Sequence, residues 1–110
     1  MTIRSNSLAK VVSWILDSRI AAALGAAAAQ YRDGDYAQAF ETYGTFAANH
    51  PEHMMAGAVP VCQAHCLEAE GNVEEALAMF AAFAEANPEH YLGPVAQMGR
   101  ARCLEQLERW

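Results

Sequence analysis

The stretch Ala48-Asn49-His50-Pro51-Glu52-His53, ANHPEH, is written again as ANPEH at 86–90, so that Pro51, Glu52 and His53 recur as Pro88, Glu89 and His90. The offset of 37 also carries Ala27 onto Ala64, Gly34 onto Gly71, Ala39 onto Ala76, Phe46 onto Phe83 and Ala47 onto Ala84. It continues with Ala64 onto Ala101, Cys66 onto Cys103, Leu67 onto Leu104 and Glu68 onto Glu105. Tyr43 with Phe80 and Phe40 with Leu77 are conservative pairs in the same register. A fixed period of this size marks a stacked repeat, because one unit alone cannot bury its apolar face.

The segments between the loops read as helices. After Ser5-Asn6-Ser7, any of which can cap, Leu8, Val11, Val12, Ile15, Ile20 and Leu24 keep helical spacing, and the alanine-rich run 21–29 favours helix. Gly34 supplies a left-handed stop and Asp35 a cap for a second helix over about 36–49, with Ala39, Phe40, Tyr43, Phe46 and Ala47 on one face. Pro51 closes it, since the residue before proline avoids the helical region. A third helix ends at Gly71-Asn72, a fourth at Pro88, and a fifth covers about 91–107. Pro60 and Pro94 place the starts of the third and fifth helices late, because proline is harmless only in a first turn.

Composition narrows the function classes. The chain has 110 residues and an apolar fraction of 54%, enough for the core of one small domain. A formal charge of −6 disfavours an electrostatic grip on nucleic acid or anionic membrane. Asp17 and Arg19 interrupt the apolar run VVSWIL before it could span a bilayer, so no membrane insertion is expected. Three cysteines cannot form a complete disulfide framework and read as reduced, buried side chains.

The unit is thus helix, Gly-Asp or Gly-Asn turn, helix, proline loop. A small residue at 27, 64 and 101 is followed twelve positions on by Ala39 and Ala76, then by an aromatic at 43 and 80 and a proline at 51 and 88. This pattern resembles the tetratricopeptide repeat. Its period exceeds the family's usual value of about 34 residues, and Ala23, Pro60 and Gln97 stand where the family has tryptophan. The second-helix motif FAAFAEANP, 80–88, is similar to bacterial cell-envelope members: the outer-membrane assembly lipoprotein, the Tol-Pal-associated protein and the ancillary subunit of the Sec translocon. The resemblance implies an all-α, tetratricopeptide-like helical repeat array, an α-solenoid of about five helices. The expected organisation is an amphipathic helical extension over 1–16 and a repeat domain over 17–110, with units 17–53, 54–90 and a partial unit 91–110.

Chemistry is sparse. Cys62, His65 and Cys66, at i, i+3 and i+4, have soft-ligand character and are the place where a metal- or thiol-dependent function would reside. Cys66 recurs as Cys103 while His65 becomes Arg102, which reads instead as a packing position beside a variable surface position. His53 and His90 read as loop or capping residues, and Glu74-Glu75 and Asp33-Asp35 as charges at helix starts and turns. No phosphate loop and no nucleophile with its base at a recognisable spacing is present. No catalytic residue, metal or cofactor is therefore expected, and the chain reads as a non-enzymatic protein–protein interaction scaffold.

The family resemblance implies that the first helices line a groove. Transferred to this sequence, the wall comprises Leu24, Ala28, Tyr31 and Arg32, then Val61, His65 and Glu68, then Met98, Arg102 and Glu105. The Lys and Asn of carboxylate-clamping members are replaced by Val61 and His65, so an amphipathic helix or extended apolar segment is the expected ligand. The fifth helix occupies the place of a first helix with no second helix to cover it, leaving Leu104, Leu107 and Trp110 along one side. Together with Val11, Trp14 and Ile15 near the start, these residues are expected to drive self-association, with a dimer favoured by symmetry. The compartment is expected to be cytoplasmic for a full-length chain and the periplasmic face of the envelope for an excised fragment.

Overall fold

Glycine and proline punctuate the chain where the repeat requires. The computed structural model describes the backbone of residues 2–108, and side chains at Lys10 and over 18–108. Among these residues lie five α-helices: α1 Thr2–Arg32, α2 Tyr36–Asn49, α3 Val59–Ala69, α4 Val73–Ala86 and α5 Gly93–Gln106, with a 3₁₀ turn at Met54–Ala58 before α3. Consecutive helices pack as antiparallel neighbours, giving an all-α helical repeat array.

The turns repeat atom for atom. Gly34 and Gly71 adopt φ +90° and +89°, a region in which a β-carbon is strained. Around them Gly34 N donates to Tyr31 O (3.1 Å) and Asp35 N to Gln30 O (2.8 Å), while Gly71 N donates to Glu68 O (3.0 Å) and Asn72 N to Leu67 O (2.9 Å). These bonds satisfy the last carbonyls of α1 and α3. The turn is begun a third time after α5, where Glu108 takes the glycine position with φ 56° and donates from N to Glu105 O (3.0 Å).

The proline loops are built by their histidines. His53 Nδ1 accepts from Met55 N at 3.0 Å and His90 Nδ1 accepts from Leu92 N at 3.0 Å. Each ring stands edge-on to the phenylalanine of the preceding helix, Phe46 at 5.5 Å and Phe83 at 5.1 Å. Each histidine therefore ties the end of a second helix to the start of the next first helix.

Alanine sets the spacing between helices. Ala27, Ala39, Ala64 and Ala76 are fully buried, and Phe80, Phe83, Ala96 and Cys103 complete the core between α3, α4 and α5. Burying a phenylalanine contributes about 1.5–3 kcal/mol, so Phe46, Phe80 and Phe83 anchor the stack.

Two local expectations change. Ser5, Asn6 and Ser7 lie inside α1, which begins at Thr2, so they do not cap it. Asp35 occupies the N-cap of α2, as Asn72 does for α4, but neither side chain makes the capping bond. The backbone turn alone stops the preceding helix.

The helix α1 outruns its partner. Asn49 and His50, at the end of α2, lie beside Ile20 and Ala23. The 18 residues from Thr2 to Arg19 therefore continue past α2 by about 27 Å at 1.5 Å per residue. Among the described residues no helix is long and apolar enough to cross a membrane.

Candidate functional site

Groups from several helices meet on the face formed by α1, α3 and α5. Tyr31 of α1, Tyr43 of α2, and Cys62 and His65 of α3 line a recess of about 290 Å³. Tyr31 is 38% exposed at its rim and meets Tyr36 edge-to-face at 5.1 Å. The His65 ring stands edge-on to Phe80 at 5.1 Å, which fixes its plane.

Beside the recess an ion pair joins α3 to α5. Arg102 grips Glu68 with both ends of its guanidinium, Nε donating to Oε2 at 3.0 Å and Nη2 to Oε1 at 2.9 Å. Gln106 Nε2 donates to the same carboxylate at 3.0 Å, and His65 Nδ1 is 3.9 Å from Glu68 Oε1. Bidentate geometry makes this pair more specific than an ordinary surface contact.

Burial governs the electrostatics. His65 is held below its ordinary value by burial and then by Arg102, so its imidazole is neutral near pH 7. The hydrogen bonds from Arg102 hold the Glu68 carboxyl below the usual range. Burial, then Cys62, pushes the Tyr43 hydroxyl up to about 12. Burial also raises Cys62 and Cys103, and pushes Cys66 up to about 11. All three thiols stay protonated, whereas a nucleophilic or metal-binding cysteine requires the thiolate. Cys66 is fully buried, apart from the recess that Cys62 and His65 line. Among the described residues no three His, Cys, Asp or Glu side chains converge as a metal would require.

The expected wall residues divide into groups. The structure brings Tyr31, His65, Glu68 and Arg102 together; Leu24 is half-buried, and Ala28, Arg32 and Glu105 are exposed, outside the Glu68 network. Val61 is 3% exposed in the core cluster and offers no surface to a ligand. Met98, its equivalent in the third unit, is 63% exposed. Leu104 and Leu107 are half-buried at the end of α5. Val11, Trp14 and Ile15 lie on the backbone of α1 with side chains outside the described set, and Trp110 lies outside the described residues.

Tyr43, Cys62 and Gln106 belong to this face although the periodicity gives them no role there. A signal was present for two of them. Tyr43 keeps its hydroxyl where Cys62 stands opposite, and becomes Phe80 where the opposite residue is Gly99.

The fold therefore defines a helical repeat protein. Residues 21–53 match the tetratricopeptide repeat family model, covering the last 12 of the 31 residues of α1, all of α2 and the first proline loop. Repeats of this kind generally mediate protein–protein interaction. The match supports the tetratricopeptide likeness and does not extend to the envelope types. No curated protein and no solved structure matches the chain.

Proposed function

We propose that the chain is a non-catalytic scaffold module that binds a protein segment along the groove of its first helices. An apolar anchor side chain of that segment would enter the recess of Tyr31, Tyr43, Cys62 and His65. The recess is the observation that carries this reading, because it joins three helices at the groove position and is walled by aromatic rings and neutral groups. Glu68 and Arg102 neutralise each other at its edge, which favours an amphipathic helix over a segment presenting a bare carboxylate. On this reading 17–53 and 54–90 are complete units, 91–110 a partial one and 1–16 an amphipathic extension. Only the FAAFAEANP pattern of 80–88 speaks for a bacterial cell-envelope setting.

The test uses amphipathic helical peptides selected from a displayed library. Cys62→Trp, which fills the recess, is expected to weaken their binding at least tenfold, or about 1.4 kcal/mol. Unchanged affinity in a folded variant overturns the reading.

A second reading takes another copy of the chain as a partner, in a dimer. The exposure of Met98 and Ala101 on α5 favours it.

A further inference from the structure

The register that equates the repeats also equates the junctions between them. One period on from Tyr31, Tyr43, Cys62 and His65, which line the recess of α1, α2 and α3, stand Glu68, Phe80, Gly99 and Arg102 of α3, α4 and α5. At this second junction the four residues complete one another. The Phe80 ring lies against the backbone of Gly99, and Arg102 donates to Glu68 twice, at 3.0 and 2.9 Å. At the first junction they do not. Tyr31 and His65 hold the places of Glu68 and Arg102, yet no hydrogen bond joins them, and a recess of about 290 Å³ stands open between the helices. The first junction is thus an unfilled copy of the second.

We propose that the recess receives the indole of a tryptophan on the bound segment, with its ring N–H donating to His65. The inference rests on the scaffold reading above and names the anchor. Three of the four lining side chains are rings and the fourth is a thiol, so the walls suit an aromatic group packed edge-on or offset. None of them is charged near pH 7, which makes a lysine, arginine or carboxylate costly to desolvate there. The donor requirement comes from His65. A neutral imidazole carries one N–H and one lone pair. Its Nδ1 lies 3.9 Å from Glu68 Oε1, and the hydrogen bonds from Arg102 keep that carboxylate ionised and able only to accept. The proton therefore belongs on Nδ1 and the lone pair on Nε2. Nε2 accepts from no described residue and is not sealed from solvent, the side chain being 32% exposed. Phenylalanine and leucine would leave that lone pair unmet once water is expelled. Tyrosine would meet it but bury a hydroxyl oxygen that also needs a partner, whereas indole donates and accepts nothing.

The probes are indole and benzothiophene, two ring systems of one shape of which only the first has an N–H. Benzothiophene is the more apolar, so burial alone would rank it first. Amide chemical-shift titrations of the full chain are expected to move Tyr31, Tyr43, Cys62 and His65 with both probes, and to show indole binding tighter by about fivefold or more, the scale of one hydrogen bond. His65→Phe keeps a ring against Phe80 and is expected to abolish that preference while benzothiophene still binds. The nitrogen shifts of the His65 ring are expected to report the Nδ1–H tautomer in the free wild-type chain, a readout that needs no variant. Equal affinities, a preference for benzothiophene, or the Nε2–H tautomer overturns the indole anchor. If Cys62→Trp nevertheless weakens the selected peptides, the scaffold reading stands and the anchor alone fails. Peptide binding indifferent to Cys62→Trp overturns the reading and the anchor together.

Discussion

The Phe80 ring closes directly on the backbone of Gly99: a β-carbon at that glycine would lie 2.6 Å from Cε1 and Cζ and 2.7 Å from Cε2. One repeat earlier the same two positions hold Tyr43 and Cys62, which line one recess. Each second helix therefore meets the following first helix through one aromatic ring, and the opposing residue is sized to it.

This contact gives two glycines opposite mutational signs. Gly99→Ala is expected to destabilise the fold, because Phe80 is fully buried and cannot retreat. Overpacking of about 1–3 kcal/mol outweighs the gain of about 1 kcal/mol in helix propensity. Gly25 lies exposed on α1 with nothing near its absent β-carbon, so Gly25→Ala is expected to stabilise by about 1 kcal/mol. Urea unfolding of both variants tests the pair, and equal signs would contradict the packing.

The repeat alanines should divide according to whether a second helix covers or accompanies them. Ala76→Leu is expected to cost about 1–3 kcal/mol, since a larger side chain pushes α3 and α4 apart. Ala101→Leu, at an exposed position, is expected to stay within about 0.5 kcal/mol. A large loss at residue 101 would contradict that exposure.

Glu108 bears a strain that Gly34 and Gly71 avoid. With φ at 56°, its β-carbon occupies a region unfavourable by about 1–2 kcal/mol for an L-residue. Glu108→Gly is expected to stabilise the chain, and Gly71→Ala to destabilise it by a similar amount. Thermal melts of the two variants should move in opposite directions.

Acid should weaken the fold in two steps. Burial, then Arg102, holds His65 below its ordinary value of 6.5, so below that value the unfolded chain binds the extra proton first and stability falls with pH. The His65 contribution is complete above pH 6.5 and is lost as pH drops through it towards the folded value. Glu68, held below 4.5 by the hydrogen bonds from Arg102, contributes fully above 4.5 and loses its share as pH falls through its folded value. The difference in Tm between wild type and His65→Gln should therefore change just below pH 6.5. The difference between wild type and Glu68→Gln should change only below pH 4.5. A His65→Gln difference that is flat across its window would contradict the burial of the imidazole.

The fold was legible because the 37-residue offset fixes equivalence without reference to propensity. The ends of α2 and α4, the left-handed glycines and the late start of α3 at Pro60 all follow from residues with a single local meaning. Equivalence does not determine exposure, however. Val61 and Met98 share a register position, yet one is packed in the core and the other is open, because exposure depends on which helix lies alongside. For the same reason Tyr43 and Cys62, read as a core aromatic and a ligand candidate, become neighbours in one recess only when α2 and α3 are stacked. The start of α1 escaped because Ser5, Asn6 and Ser7 are poor helix formers by propensity, and propensity is a weak prior.

The most direct test of the central claim, that the first-helix face receives a protein segment, is backbone amide chemical-shift mapping with a selected amphipathic peptide. The account predicts shifts concentrated at Tyr31, Cys62, His65, Glu68 and Arg102, and abolished by Cys62→Trp. Shifts concentrated instead on exposed positions of α2 and α4, with the recess residues unmoved, would contradict it.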